Sequence, residues 1–211
     1  MNADQQGQLL ARDLRQHRTT VLHLAGAEHG VVRRVEGDQH AVVEAQVDLP
    51  AIGGGDPVDG FDFGNSPAQL QQADLRGRPV VMTTAAGVRG LQRYRPARQL
   101  YAASLVCAQA TAAAIRAAGA DEVCFVITGE WVDRDGDEDV ACADYIEALL
   151  RGEPAPAEDF ARRVRDSDFG RRFVAGTWPN LPRADLELAA HVDRFDFAMP
   201  VAREGEHLVI R

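Results

Sequence analysis

Two short apolar runs constrain this chain more than any other feature. Residues 78–84 hold Val80, Val81 and Met82 and end in the hydroxyl pair Thr83 and Thr84, and residues 122–128 hold Val123, Cys124, Phe125 and Val126. Runs that are continuously apolar rather than alternating are what strands covered on both faces require. Each run is followed by a glycine-bearing loop and then a helical pattern. Gly87 and a short helix carrying Arg89 follow the first; Gly129 and a helix with the apolar face Ala143, Ile146, Leu149 and Leu150 follow the second. Strand, loop and helix repeating in this order predict an α/β fold, a sandwich with a mainly parallel sheet. Ligands in such folds bind beyond the carboxyl ends of strands, which selects residues 83–89 and 128–139.

The remaining elements fit around those two strands. A helix is expected over 4–16 and short strands over 21–24, 31–35 and 41–47, the second and third forming a hairpin about residues 36–38. A glycine-rich loop over 50–60 precedes a short polar helix from Pro67 to Gln72. A weak strand at 99–102 leads into an alanine-rich helix over 105–118, with Ser104 placed to cap its start and Gly119 its end. The acids Asp137, Glu138 and Asp139 suit the first turn of the next helix, which Gly152 and Pro154 terminate. Short helices around Phe160 and Leu186 and closing strands at 195–201 and 207–210 complete the chain, whose 211 residues suit one domain.

Composition narrows the function classes. With 45% hydrophobic and 26% charged residues the chain reads as globular rather than disordered. A formal net charge of -9 without a basic stripe argues against nucleic-acid binding. The basic side chains are arginine rather than lysine, the better group for bidentate capture of phosphate or sulfonate. No stretch is apolar for long enough to span a bilayer, and residues 1–14 lack the basic end and apolar centre of a secretory signal, so a cytoplasmic, non-membrane protein is expected. Cys107, Cys124 and Cys142 are widely spaced within apolar stretches and read as buried free thiols, and no two of the six histidines have the helical spacing of a zinc hydrolase.

One loop stands apart. Residues 60–67 read Gly-Phe-Asp-Phe-Gly-Asn-Ser-Pro, joining two glycines, a carboxylate, an amide and a hydroxyl to a proline that can open a helix. Such a loop suits a small anion or a metal, and it equally suits a turn ahead of an ordinary helix.

That loop, taken with Thr83-Thr84, Gly87 and Arg89, then Ser104-Leu105-Val106, Gly129-Glu130-Trp131 and Glu138-Asp139, resembles the 2-phosphosulfolactate phosphatase (ComB-like) family in order and spacing. The tail is similar too, through Asp185, Glu187, Leu188, Ala189, Asp193 and Pro200, so the resemblance covers roughly residues 53–205. It implies a three-layer α/β sandwich with a mixed sheet, as a single domain over 1–211 in which residues 1–50 are divergent. It also implies a magnesium-dependent hydrolase that removes phosphate from 2-phospho-3-sulfolactate in coenzyme M biosynthesis, or from another small phosphorylated hydroxy acid in organisms that make no coenzyme M. The expected partners are that small phosphorylated acid and, in an assembly, further copies of the chain.

On this resemblance the magnesium ligands are Asp62, Glu138 and Asp139, since magnesium takes oxygen ligands and keeps several waters. Asp62, Arg89 and Glu130 are the expected catalytic residues, Glu130 orienting a water. Gly64, Asn65, Ser66, Thr83, Thr84 and Gly87 are the expected substrate-binding residues, meeting charge on the phosphoryl oxygens with backbone N–H groups and hydroxyls. The chain departs from the family pattern at several places. The opening strand Asp-Val-Leu-Arg-Ala-Thr has no counterpart among residues 1–50, Ile52 and Gly53 replace a Glu-Arg pair, and Ala85, Ala86 and Val88 replace two polar positions and a hydroxyl within Thr-Thr-Thr-Asn-Gly-Thr. Cys107 stands where the family commonly has Asn. Each change removes a polar group. The alternative expectation is therefore a noncatalytic relative that keeps the scaffold for anion or partner binding.

Overall fold

The computed structural model describes residues 60–84, 87–128, 136–178 and 180–211, together with the backbone of three strands at 19–24, 30–34 and 41–43. The expected helix over 4–16, most of the loop over 50–60, and Glu130 lie outside the described residues. The strands are β1 (Thr19–Leu24), β2 (Gly30–Arg34), β3 (Ala41–Val43), β4 (Val80–Thr84), β5 (Gln99–Ala103), β6 (Glu122–Val126), β7 (Met199–Glu204) and β8 (His207–Ile210). They form one sheet in the order β2-β4-β3-β8-β7-β5-β1-β6.

The fold is mixed α/β. β1 pairs in parallel with β5 and β6, and β3 with β4. The pairs β2/β4, β3/β8, β5/β7 and β7/β8 are antiparallel, so the expected mainly parallel sheet is corrected to a mixed one. The cause is local: β7 and β8, joined through Gly205 at φ 57°, form a hairpin that inserts between β5 and β3 and meets both antiparallel. The hairpin expected from β2 and β3 is corrected as well, because β4 lies between them and pairs with each.

Successive residues of a strand face opposite sides of the sheet, and β5 shows what each side carries. Leu100 and Ala102 pack with Val88, Leu91, Ala97, Val201 and Leu208. Tyr101 and Ala103 join a larger core with Leu105, Ile115, Ile146, Phe169 and Leu186. The first cluster draws on α2 (Gly87–Arg93). The second draws on α3 (Ala108–Ala117), α4 (Asp137–Arg151), α5 (Ala157–Asp166), α6 (Asp168–Val174) and α7 (Arg183–Ala189). A short helix, α1 (Pro67–Leu70), precedes β4. Complete burial of Ile115 or Ile146 stabilises by about 1.5–3 kcal/mol per side chain.

Helix α3 starts differently from its sequence pattern. Residues Leu105–Cys107 form a 3-10 turn, and the extended Ser104 makes no side-chain cap bond. Asp193 supplies the cap instead, its Oδ1 accepting from the Gln109 N–H at 2.7 Å. Where α5 meets α6, Ser167 donates to the Val164 carbonyl at 2.8 Å and accepts from the Gly170 N–H at 3.0 Å. Gly170 is required there, because a Cβ would lie 2.3 Å from the Arg165 carbonyl oxygen.

Candidate functional site

Strand direction decides which motif residues can act together. β5, β1 and β6 run parallel, so their carboxyl ends lie along one rim of the sheet. β4 runs the opposite way: β7 opposes β5, β8 opposes β7, β3 opposes β8, and β4 parallels β3. Thr83 and Thr84, at the end of β4, therefore sit on the other rim, and β4 stands six places from β6 in the strand order. The two segments that sequence reasoning selected together, 83–89 and 128–139, are separated. Strand direction, which no chain-local signal fixes, sends them to opposite rims.

On the β4 rim, the Thr84 hydroxyl accepts from the Val88 N–H at 2.9 Å, which makes it the cap of α2. Thr83 and Gly87 are buried. Arg89 falls on α2, and its side chain lies outside the described atoms.

On the opposite rim, beyond β6, Gly136 with its φ of 64° leads into α4. The helical period then separates the three leading acids. Asp137 faces outward and pairs with Arg163 at 2.6 Å. Glu138 shares its face with Cys142 and Tyr145, and Asp139 shares its face with Cys142 and Ile146; both carboxylates are buried. Asp139 Oδ2 accepts from the Thr128 N–H at 3.1 Å and from the Thr128 hydroxyl at 3.4 Å, tying the helix start to the carboxyl end of β6. The helix N-terminus favours negative charge at these positions.

The loop at 60–67 reaches the same face through α7. Asp185 Oδ1 accepts from the Ser66 hydroxyl at 2.9 Å and from the Ala68 N–H at 2.8 Å, while Ser66 Oγ accepts from the Gln69 N–H at 3.2 Å. Ser66 and Asp185 are buried, at 0% and 1% exposure. Burial pushes the Asp185 carboxyl above its ordinary value, and the Ala68 N–H and Ser66 hydroxyl pull in the other direction without cancelling it. Helix α7 also packs against the 3-10 turn that follows β5, which sets the loop beside the rim. Gly64 is buried, Asn65 is partly so, and Asp62 is exposed.

Among the described residues no three His, Cys, Asp or Glu side chains form a group that could hold a metal ion. Of the three expected ligands, Glu138 and Asp139 share a buried helix turn, whereas Asp62 stands on a separate, exposed loop. Sequence reasoning gave Asp185 and Asp193 no role in the site. Asp185 holds the loop, and Asp193 bridges the Gln109 N–H and the Tyr145 hydroxyl at 2.7 and 2.6 Å. The clue at Asp185 was an acid in the first turn after Pro182; nothing local marked Asp193, whose positive φ of 52° only the fold reveals.

Around these carboxylates lie two buried thiols. Cys142 is raised well above its ordinary value, first by burial and then by Asp139, Cys107 and Asp193. Cys107 is also raised by burial, with hydrogen bonds from its surroundings at Thr111 and Ser104 opposing. All three cysteines are free, as expected, with Cys124 only partly buried. Among the described residues no helix is long and apolar enough to cross a membrane.

Comparison with known proteins agrees with the motifs. The profile of the 2-phosphosulpholactate phosphatase family matches residues 43–199. A probable 2-phosphosulfolactate phosphatase of Synechococcus sp. (strain RCC307) is 32% identical over 155 residues, 73% of this chain and 60% of that protein. One from Bacillus subtilis (strain 168) is 25% identical over 193 residues, 89% of this chain and 84% of that protein. One from Cyanothece sp. (strain PCC 7425 / ATCC 29141) is 38% identical over 109 residues, 51% of this chain and 44% of that protein. The match thus spans less than two thirds of the Synechococcus and Cyanothece relatives and most of the Bacillus one. With matched residues running from β3 to β7 and both rims of the sheet included, the chain belongs to the 2-phosphosulpholactate phosphatase family.

Proposed function

We propose that this protein is a phosphatase that hydrolyses a small phosphorylated hydroxy acid at the rim formed by the carboxyl ends of β5, β1 and β6. One observation carries the reading: two adjacent carboxylates, Glu138 and Asp139, are held buried on the first turn of α4, where a surface helix would leave them in water. Two covered faces of one sheet support a three-layer arrangement of the domain.

Within this rim the residues divide the work. Asp139, held by Thr128, is fixed in orientation and suited to aligning a water for in-line attack on phosphorus. Glu138, on the same turn, adds a second carboxylate oxygen donor. The Gly64-Asn65-Ser66 loop offers backbone N–H groups to phosphoryl oxygens. Magnesium suits these hard oxygen donors, Glu138 and Asp139 being the residues to hold it with waters completing its shell, and it would supply neutralisation of charge on the transferring group. Asp62 serves as an outer carboxylate on this reading, and Glu130 remains assigned to water.

The distance between the two rims favours a second reading in part. Thr83, Thr84, Gly87 and Arg89 occupy the β4 rim, and a noncatalytic relative that keeps the scaffold for anion or partner binding would tolerate that separation. Release of inorganic phosphate from a panel of small phosphorylated acids, with and without magnesium, separates the two. Magnesium-dependent turnover that falls about a hundredfold or more in Asp139→Asn is expected of the enzyme. No turnover on any ester, or turnover indifferent to Asp139, leaves the binding protein.

A further inference from the structure

We infer that Asp185 is the positioning residue of the Gly64-Asn65-Ser66 loop, a latch that sets the loop's anion-facing N–H groups through Ser66 and Ala68 without itself touching substrate. Its bearing on turnover rests on the phosphatase reading above; its bearing on the loop does not. The geometry is specific. Two donors separated by one residue, the Ser66 hydroxyl and the Ala68 N–H, converge on the same oxygen, Asp185 Oδ1, at 2.9 and 2.8 Å. The Gln69 N–H donates to the Ser66 oxygen behind them, so a relay of hydrogen bonds runs from the first turn of α1 to a carboxyl more than a hundred residues away in the chain.

The second carboxyl oxygen tells how the latch works. Among the described residues Asp185 Oδ2 is buried without a hydrogen-bond partner. A group whose purpose was negative charge would have both oxygens met, because leaving one bare in the interior is costly. The part of Asp185 in use is a single acceptor at a fixed point. An amide at this position keeps that acceptor, and a methyl group does not.

Among the described residues no cation pairs with the carboxyl. Arg183, on its own helix, is exposed, and Arg165 of α5 spends its bonds on Glu158 and Glu187 at the surface. Burial, the Ala68 N–H and the Ser66 hydroxyl set the state of the Asp185 carboxyl.

The experiment uses the full-length chain and three variants, Asp185→Asn, Asp185→Ala and Ser66→Ala. Amide hydrogen exchange is read by mass spectrometry over residues 60–72, with residues 99–103 of β5 as the internal reference. Asp185→Ala and Ser66→Ala should speed exchange of the Ala68 and Gln69 amides by about tenfold or more while β5 is unchanged, and Asp185→Asn should stay within about threefold of wild type. On a phosphate ester that the wild type turns over, Asp185→Ala should raise KM about tenfold, with Asp185→Asn again close to wild type. Equal loosening in Asn and Ala variants would overturn the acceptor role, as would a loop unchanged in both. If Asp185→Ala fails to fold, Ser66→Ala against Asp185→Asn carries the same comparison. Loops loosened in the Ala variants of a wild type that hydrolyses nothing support the latch while removing the phosphatase; an active wild type whose Ala variant keeps its KM and its exchange removes the latch alone.

Discussion

Tyr145 on α4 donates its hydroxyl hydrogen to Asp193 Oδ2 at 2.6 Å, while the other oxygen of the same carboxylate accepts from the Gln109 N–H at 2.7 Å. One side chain in the turn after α7 thereby ties the start of α3 to the middle of α4. Tyr145→Phe should destabilise the fold by about 1.5–3 kcal/mol, the range for a hydrogen bond to a charged group, as read by denaturant unfolding. Burial, and then Asp193, raise the tyrosine pKa. Because the folded value lies above the unfolded one, this contribution is complete below the ordinary tyrosine pKa and is lost as pH climbs through the folded value. Phenolate absorbance in the native protein should therefore show Tyr145 ionising only above the ordinary tyrosine range, and Tyr101, also raised by burial, lagging its ordinary value as well.

The Asp185 carboxyl gives a dependence in the acid range. Its folded pKa is raised from the ordinary 3.8, so the native state binds the proton more tightly. Stability from this group is complete below the unfolded value and declines as pH rises through the folded one. Asp185→Asn cannot titrate, and the gap in melting temperature between it and the wild type should move in the variant's favour as pH is raised from about 3.8 upward. A gap constant with pH would contradict the burial-driven shift.

At the junction of α5 and α6, Ser167→Ala removes a cap that both donates and accepts. The expected loss is about 1 kcal/mol. Gly170→Ala forces a methyl group against the Val164 and Arg165 carbonyls and should cost about 1–3 kcal/mol. Melting temperatures lower by about 2–4 °C per kcal/mol would register both.

The thiols make a chemical prediction. Cys107 and Cys142 are buried and all three cysteines have raised pKa values, so little thiolate is available at pH 8. A disulfide reagent should label the native protein slowly, with Cys124 first, and all three residues at once in denaturant. Rapid native labelling of Cys142 would contradict the packing of α4 against the sheet.

What the sequence made legible was local. The unbroken apolar runs at Val80 and Val123 marked true strands, and the period of Ala143 and Ile146 marked α4 and its end at Gly152. Relations between segments were illegible, because hydrophobic pattern carries no strand direction. The apolar run of β4 suits either sense, and only its pairing with β3 shows that Thr84 points away from Thr128. The same holds at Ser104, whose residue type suits a cap that Asp193 provides from elsewhere in the chain. For the site, the resemblance picked out Ser66, Glu138 and Asp139, all of which the fold buries, and grouped with them residues that the strand directions send to the far rim.

That opposition of β4 to β6 has an energetic corollary. Groups lying well beyond about 10 Å from one another with no shared partner perturb folding independently, so their free-energy changes sum. Thr84 spends its hydroxyl on α2 and Asp139 answers to Thr128, with five strands between. Paired substitution at these two positions should behave as arithmetic, each half of the protein indifferent to injury in the other.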